Sequence, residues 1–339
     1  DVKMLLHICH VIVDITVVSA EYHKPLYDVL IRPAERQFPL SVRQNEPYRV
    51  QINQDVYQSA EPYPGKVTDH EMTHFLRGHA VGSFTICPVV YIPAEKRVEC
   101  LKNIVIEVTT KPSARSAESL AFLREDPETR SGIEKSVYNP GMLSSYSYPE
   151  SKNYPEYDLL LITKNSFIPE FDDYLAYKLS TGFIVKTISV EDIYNTYTGQ
   201  DNQEKIRNCI IDYYQNQGID FVILGGDTDP ANVNDRIIPH RGFYANAYST
   251  PDDDVPADIY YSNLDGNWNN DGDNRWGEPG EDDLYSEVYI GRICIDNVTE
   301  IQNFTAKLKK YQNTPVVADI EKALMVGELL WSDPTWGGD

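Results

Sequence analysis

The sequence predicts an all-β domain followed by an α/β domain with a parallel sheet, and three observations carry that prediction. Over residues 1–110, short β-branched runs are separated by Pro and Gly turns. From Asp158 onward the pattern changes to continuous apolar strands alternating with amphipathic helical segments, the mark of a sheet covered on both faces. Between the two, residues 111–156 are polar and read as a linker.

In the first domain the run at 10–18 is β-branched and bounded by polar residues. Further short runs follow at 48–52, 81–86 and 103–108. Regular short strands with such punctuation suggest a β-sandwich. His70, His74 and His79 lie close together in sequence, but no acids stand at matching positions, so they read as polar loop residues. Tyr91 and Pro93 read as strand-end packing. In the linker, Arg115, Arg124 and Arg130 stand in weakly structured sequence, with a short helix expected over 118–124.

The α/β domain, residues 157–339, opens on an apolar strand at 159–163. A helix over 168–180 follows, with Phe171, Tyr174, Leu175 and Lys178 on one face, stopped by Thr181 and Gly182. A strand is expected at 183–188. The helix at 204–217 presents Ile206, Cys209, Ile210 and Tyr213, with Gly218 placed as its cap. The strand at 221–224 ends in Gly225, Gly226 and Asp227. Later come a strand at 288–290, a helix at 300–311 and a strand at 323–326, with Glu328 just beyond it. In such folds ligands gather at the carboxyl ends of strands.

The 339 residues carry a net charge of −22, which disfavours nucleic acid as a partner. No apolar run approaches the ~20 residues of a membrane helix. The five cysteines are scattered without metal spacing. The chain begins at Asp1 with no initiator Met and ends at Asp339 after two glycines, so both ends read as cuts in a longer precursor.

Half of the negative charge is local. Between Asp252 and Glu287 stand twelve acidic residues against one basic residue, Arg275. Such density repels itself unless a cation or a solvated, extended loop relieves it. Asp265, Asn267, Asp271 and Asp273 alternate with Gly266 and Gly272, and Glu278, Asp282 and Asp283 follow. Hard cations such as Ca²⁺ take six to eight oxygens from side chains and carbonyls of this kind. The EF-hand offsets are not met, so the reading is an irregular calcium loop; the alternative is a solvated acidic loop. Interleaved aromatics, Trp268 and Trp276 among them, weigh against disorder.

No nucleophile elbow, phosphate-binding loop or HExxH helix occurs. A dyad of His240 with Cys209 or Cys294 is the one cysteine–histidine pairing open in the α/β domain.

The series YDLLLIT, FVILGGD, LYSEVYIGRI and ALMVGELLW resembles the gingipain-like cysteine peptidases of family C25, which have a caspase-like fold. Upstream, DITVVSAEY, the Tyr63-Pro64-Gly65 segment and LRGHAVGSFTICPVVYIP are similar to the C-terminal part of that family's propeptide domain. The resemblance implies a β-sandwich prodomain restraining the first half of a catalytic domain, in contact with it within one chain. It implies processing after Arg115, Arg124 or Arg130, and catalytic His and Cys residues beyond Asp339. Glu328 would be the acid that orients the His, and Asp339 the acid that selects basic side chains. Asp227 and Glu287 would match calcium-associated acids. The expected function is a secreted, calcium-stabilised cysteine endopeptidase zymogen of a bacterial surface or periplasm, acting on polypeptides in its full-length form. Two alternatives are a sortase-like C25 protein of a secretion system and a non-catalytic calcium-binding surface module.

Overall fold

The computed structural model describes residues 1–32, 53–124, 126–148, 157–229, 235–247, 250–281 and 283–323, with 328–329 and 336–337. The N-terminal part contains β1 (Val2–Leu5), β2 (His10–Tyr22), a short helix α1 (Gln54–Tyr57), β3 (Thr68–Leu76), β4 (His79–Ile86), β5 (Val89–Ile92) and β6 (Arg97–Pro112). They form two antiparallel sheets, β1-β4-β3 and β2-β6-β5. The expected strand at 48–52 lies outside the described residues.

The β3–β4 hairpin turns on Arg77 and Gly78, with Leu76 opposite His79 and φ of 45° and 78° at the two turn residues. Two consecutive left-handed residues make the turn whose twist matches the flanking strands. A Cβ on Gly78 would fall 2.6 Å from the Leu123 backbone, so this position takes only glycine. His79, expected in a loop, is instead buried in β4: its Nδ1 lies 3.0 Å from the Arg77 carbonyl and its Nε2 3.0 Å from the Tyr148 hydroxyl.

Residues 111–156, read as weakly structured, contain helices α2 (Ala114–Ser119) and α3 (Pro127–Ser136). The helical start was written in the sequence. Asp126 accepts from the Thr129 N–H at 2.7 Å and Pro127 occupies the first turn, a standard entry to a helix. Leu123, Ile133, Val137, Leu143 and Tyr146 are buried with Leu5 and Val81. This apolar face, not the surrounding polarity, decides the structure.

The α/β part runs β7 (Leu159–Thr163), a 3₁₀ turn, α4 (Asp172–Ser180), β8 (Val185–Ser189), α5 (Val190–Thr196), α6 (Asn202–Gln217) and β9 (Phe221–Gly225). The hairpin β10 (Arg241–Ala247) and β11 (Thr250–Ala257), the turn α7 (Ile259–Ser262), β12 (Tyr289–Ile293), α8 (Val298–Asn313) and α9 (Val317–Ile320) follow. Strands β12-β9-β7-β8 form one parallel sheet in that order. Leu160, Leu161 and Ile162 are fully buried, as a sheet covered on both faces requires. Helix α6 is capped by Asp201 and ends at Gly218 with φ 78°. It buries Tyr214 in place of the expected Tyr213, which is partly buried. Strands β13 (Glu328–Leu329) and β14 (Trp336–Gly337) pair antiparallel.

Candidate functional site

The acidic residues singled out by the sequence separate into three groups. Parallel pairing of β9 with β12 sets Phe221 opposite Tyr289 and Gly225 opposite Ile293. Glu287 therefore precedes the sheet, while Asp227 follows its far end. The strand between them spans about 13 Å, so one ion cannot touch both. Burial and the neighbouring charges of Asp296 and Asp229 push the Asp227 carboxyl up, and its Oδ1 is buried without a hydrogen-bond partner.

The second group is exposed. Asp271, Asp273 and the half-buried Glu278 offer carboxylate oxygens all within 4.8 Å of one another. Left-handed Gly272 and Gly277 bend the loop around them. Asp271 accepts from the Asp273 N–H at 3.1 Å, and Asn267 accepts from the Asn269 N–H at 3.3 Å. Desolvation and then the Asp273 charge push the Glu278 carboxyl up. Charge crowding is thus present here, offset in part by Arg275 at 3.8 Å from Glu278, and the three carboxylates supply three of the six to eight hard oxygens that Ca²⁺ takes.

The third group is buried and lies where the two parts of the chain meet. Glu287 is fully buried and accepts from the Leu264 N–H at 2.7 Å and from the Arg77 N–H at 3.2 Å. Burial and the adjacent Asp265 hold its carboxyl well above the usual range. Asp265, also buried, is raised to about 6, chiefly by desolvation. Burial raises Asp283 as well. Three arginines face these acids. Arg115 donates to Asp265 at 3.0 Å and to Asp283 at 3.4 Å. Arg207 spends its donors on the carbonyls of Tyr260, Asn263 and Gly266. Arg77 donates to the Glu287 carbonyl and reaches Asp126 and Asp220, each at 3.2 Å.

Arginines singled out for processing occupy different surroundings. Arg115 is held at the buried acids, and Arg124 donates to the Ile219 carbonyl at 3.0 Å and pairs with Asp220 at 3.2 Å. Arg130 is half exposed and pairs with Glu134 at 3.1 Å. Sequence reading placed all three in weakly structured sequence. Nothing in polar local sequence shows that two of them meet partners about a hundred residues away or more.

Neither cysteine pairs with His240. Burial pushes the Cys209 thiol up to about 12, which holds it as an inert thiol. His240, expected in a loop, is buried beside β10, and its ring nitrogens lie 2.7 Å from Thr228 Oγ1 and 2.9 Å from Asp254 Oδ1. Glu328 stands in β13, opposite Gly337 of β14. Asp282, Asp339 and most of the expected strand at 323–326 lie outside the described residues.

The family model for peptidase family C25 matches residues 152–335, more than half of the chain. The chain belongs to peptidase family C25. The propeptide model of that family matches residues 10–125, so both parts are represented in the family's order. No curated protein sequence matches the chain.

Among solved structures, the complex of Porphyromonas gingivalis RgpB pro- and mature domains overlaps 41% of this chain and 68% of its own, at 15% identity and a TM-score of 0.31. Dimeric latent PorU from Porphyromonas gingivalis overlaps 73% of this chain and 23% of its own, at 15% identity and 0.36. The Arg-specific cysteine proteinase gingipain R overlaps 48% and 30%, at 17% identity and 0.31. At such scores the likeness sets no residue-by-residue correspondence. This chain spans less than a third of the PorU and gingipain R chains. No described helix is long and apolar enough to cross a membrane.

Proposed function

We propose that the chain is the latent front portion of a secreted cysteine endopeptidase: a β-sandwich prodomain docked on the first half of a caspase-like catalytic domain. The observation that carries this reading is the order of the two family matches, propeptide over 10–125 and peptidase over 152–335. The ionic junction of Arg77, Arg115 and Arg124 with the α/β part supports a restraining role for the first domain. Burial holds the Cys209 thiol protonated, so Cys209 is not the proposed nucleophile. Catalysis is proposed for the full-length protein, with polypeptides as substrates and a bacterial surface or periplasm as its place.

The test is peptidase assay of the full-length protein with and without a cysteine-directed inhibitor. Inhibitable hydrolysis is expected, with Glu328→Gln lowering kcat because an orienting carboxylate fixes the histidine tautomer. Peptide transfer without hydrolysis would favour the sortase-like alternative. No turnover at all would leave the non-catalytic calcium-binding surface module.

Ca²⁺ is the proposed stabilising ion, held by Asp271, Asp273 and Glu278. It would neutralise their mutual repulsion and fix the loop. Binding only the folded state at 100 times Kd adds about 2.7 kcal/mol. Melts in excess Ca²⁺ and in EGTA should differ by several degrees, and Asp271→Asn with Asp273→Asn should close that gap. Equal melts in the unaltered chain would reject the ion.

A further inference from the structure

We propose that the cavity lined by Lys164 and Arg236, at the carboxyl edge of the parallel sheet, binds the carboxylate end of a peptide. The cavity holds about 570 Å³, within the range of roughly 300–1,000 Å³ that small-ligand sites occupy. Its place follows from topology. Thr163 of β7 stands opposite Ser189 of β8 and Gly225 of β9, so the segments leaving these three strands emerge side by side. The chain passes from β7 to β8, then back across β7 to β9. The helices separate accordingly. On one face Tyr177 of α4 donates to Gln312 of α8 at 2.9 Å, and on the other Tyr197, just after α5, donates to Asp212 of α6 at 2.7 Å. Strand order therefore reverses between β7 and β9, and open α/β sheets bind ligands in the crevice at such a point.

Two half-buried cations line this crevice. The Lys164 ammonium lies 3.8 Å from the centre of the Phe167 ring, and Arg236 donates its Nε–H to the Asp229 carbonyl at 2.9 Å. Neither forms an ion pair among the described residues. A chain with 52 acidic residues against 30 basic ones has carboxylates to spare, yet it brings none to these two. Half-buried charge without a counter-charge costs free energy, and an anion from outside the chain would relieve it. Glu191 and Asp235 share the lining and bring its net charge to zero. A single negative charge suits that balance better than the near-double charge of a phosphate group. Glu191 accepts from the Asn165 N–H at 2.8 Å, so it is held on the backbone.

The remaining lining fits the rest of a peptide end. Val190 and Ile237 give an apolar wall for a side chain. Gln203 donates its amide to the His240 carbonyl at 3.2 Å, which leaves its own carbonyl oxygen to accept a ligand N–H. Burial pushes the Tyr194 phenol up to about 12, so its hydroxyl stays neutral and able to donate. Carboxylate, amide N–H and apolar side chain occur together on the last residue of a polypeptide. An acidic side chain offers the same carboxylate, and the test separates the two sources. The inference goes beyond the peptidase reading, since binding is measured without turnover.

The full chain is titrated by calorimetry with acetyl-alanyl-leucine, with the amide of that peptide, with acetyl-aspartyl-alanine amide and with inorganic phosphate. Saturable binding of acetyl-alanyl-leucine is expected, with its amide silent. Binding of the aspartyl peptide alone would support the carboxylate site and assign it to side chains. Lys164→Gln and Arg236→Gln should each weaken binding at least about tenfold, as loss of a charged hydrogen-bond donor does, while Lys164→Arg should retain it. No binding at millimolar peptide, equal binding of acid and amide, or phosphate binding more tightly than either peptide overturns the proposal. Unaltered affinity in a folded glutamine variant overturns it too. Should the variants fail to fold, the unaltered chain decides: saturating peptide should protect Lys164 from acylation by a succinimidyl ester, read by mass spectrometry, and equal labelling with and without peptide overturns the site. A failed peptidase assay would leave each of these readings unchanged.

Discussion

Arg77→Ala is expected to lower stability by about 2–3 kcal/mol, below the range for a fully buried pair because Asp126 and Asp220 keep part of their solvent exposure. The Arg77 side chain is only 8% exposed, and its donors serve Asp126, Thr129, Asp220 and the Glu287 carbonyl. Removal leaves Asp220, itself raised by burial, with only Arg124 to answer its charge. Arg77→Lys should recover only part of the loss, since a single ammonium cannot reproduce the planar fan of donors. Urea unfolding followed by circular dichroism measures it. A loss under 1 kcal/mol for Arg77→Ala would mean that the junction does not hold the two parts together.

Without divalent cations, the chain should melt at a higher temperature at pH 5 than at pH 7.5. The Asp265 carboxyl is raised from 3.8 to about 6, and Glu287 is raised well above its ordinary value, both chiefly by burial. Between the unfolded and folded values, the folded state keeps a proton that the unfolded chain has lost. The associated stability is complete below about pH 4 and is lost as pH rises through about 6. For Asp265 alone the difference corresponds to about 3 kcal/mol. Acids lowered in the folded state, such as Asp126, act oppositely at the acid end, so the window for comparison begins near pH 5. Asp265→Asn should flatten the slope, and a melting temperature that climbs steadily from pH 5 to 7.5 would contradict the assignment.

Much of the α/β half was legible because its signals are local. The apolar run at Leu159–Thr163 is β7 to the residue, and Gly218 caps α6 as its position suggested. Residues 114–136 were misread because their polarity drew more weight than the Asp126-Pro127 entry and the apolar spacing behind it. The grouping of the acids was not legible. Asp265 and Glu287 stand 22 positions apart, and the Arg115 side chain that answers Asp265 and the Arg77 N–H that answers Glu287 come from the other end of the chain. Density showed that charge needed relief; only the folded path shows that Arg115 supplies it for Asp265 and Asp283, backbone N–H groups for Glu287, and Arg275 in part for the exposed loop. That Glu287 and Asp227 stand at opposite ends of the sheet follows from parallel pairing, which neither residue's neighbours reveal.

The bond from the Arg77 N–H to Glu287 closes a loop of 210 residues. Loop-closure entropy must be met before such a contact repays it, so this contact is expected to form late, after the hairpin and the parallel sheet exist. Interactions absent from the folding transition state act on the unfolding rate and leave the folding rate almost unchanged. The turn at Arg77 is therefore a timer more than a foundation: it sets how long the two domains remain joined once they have met.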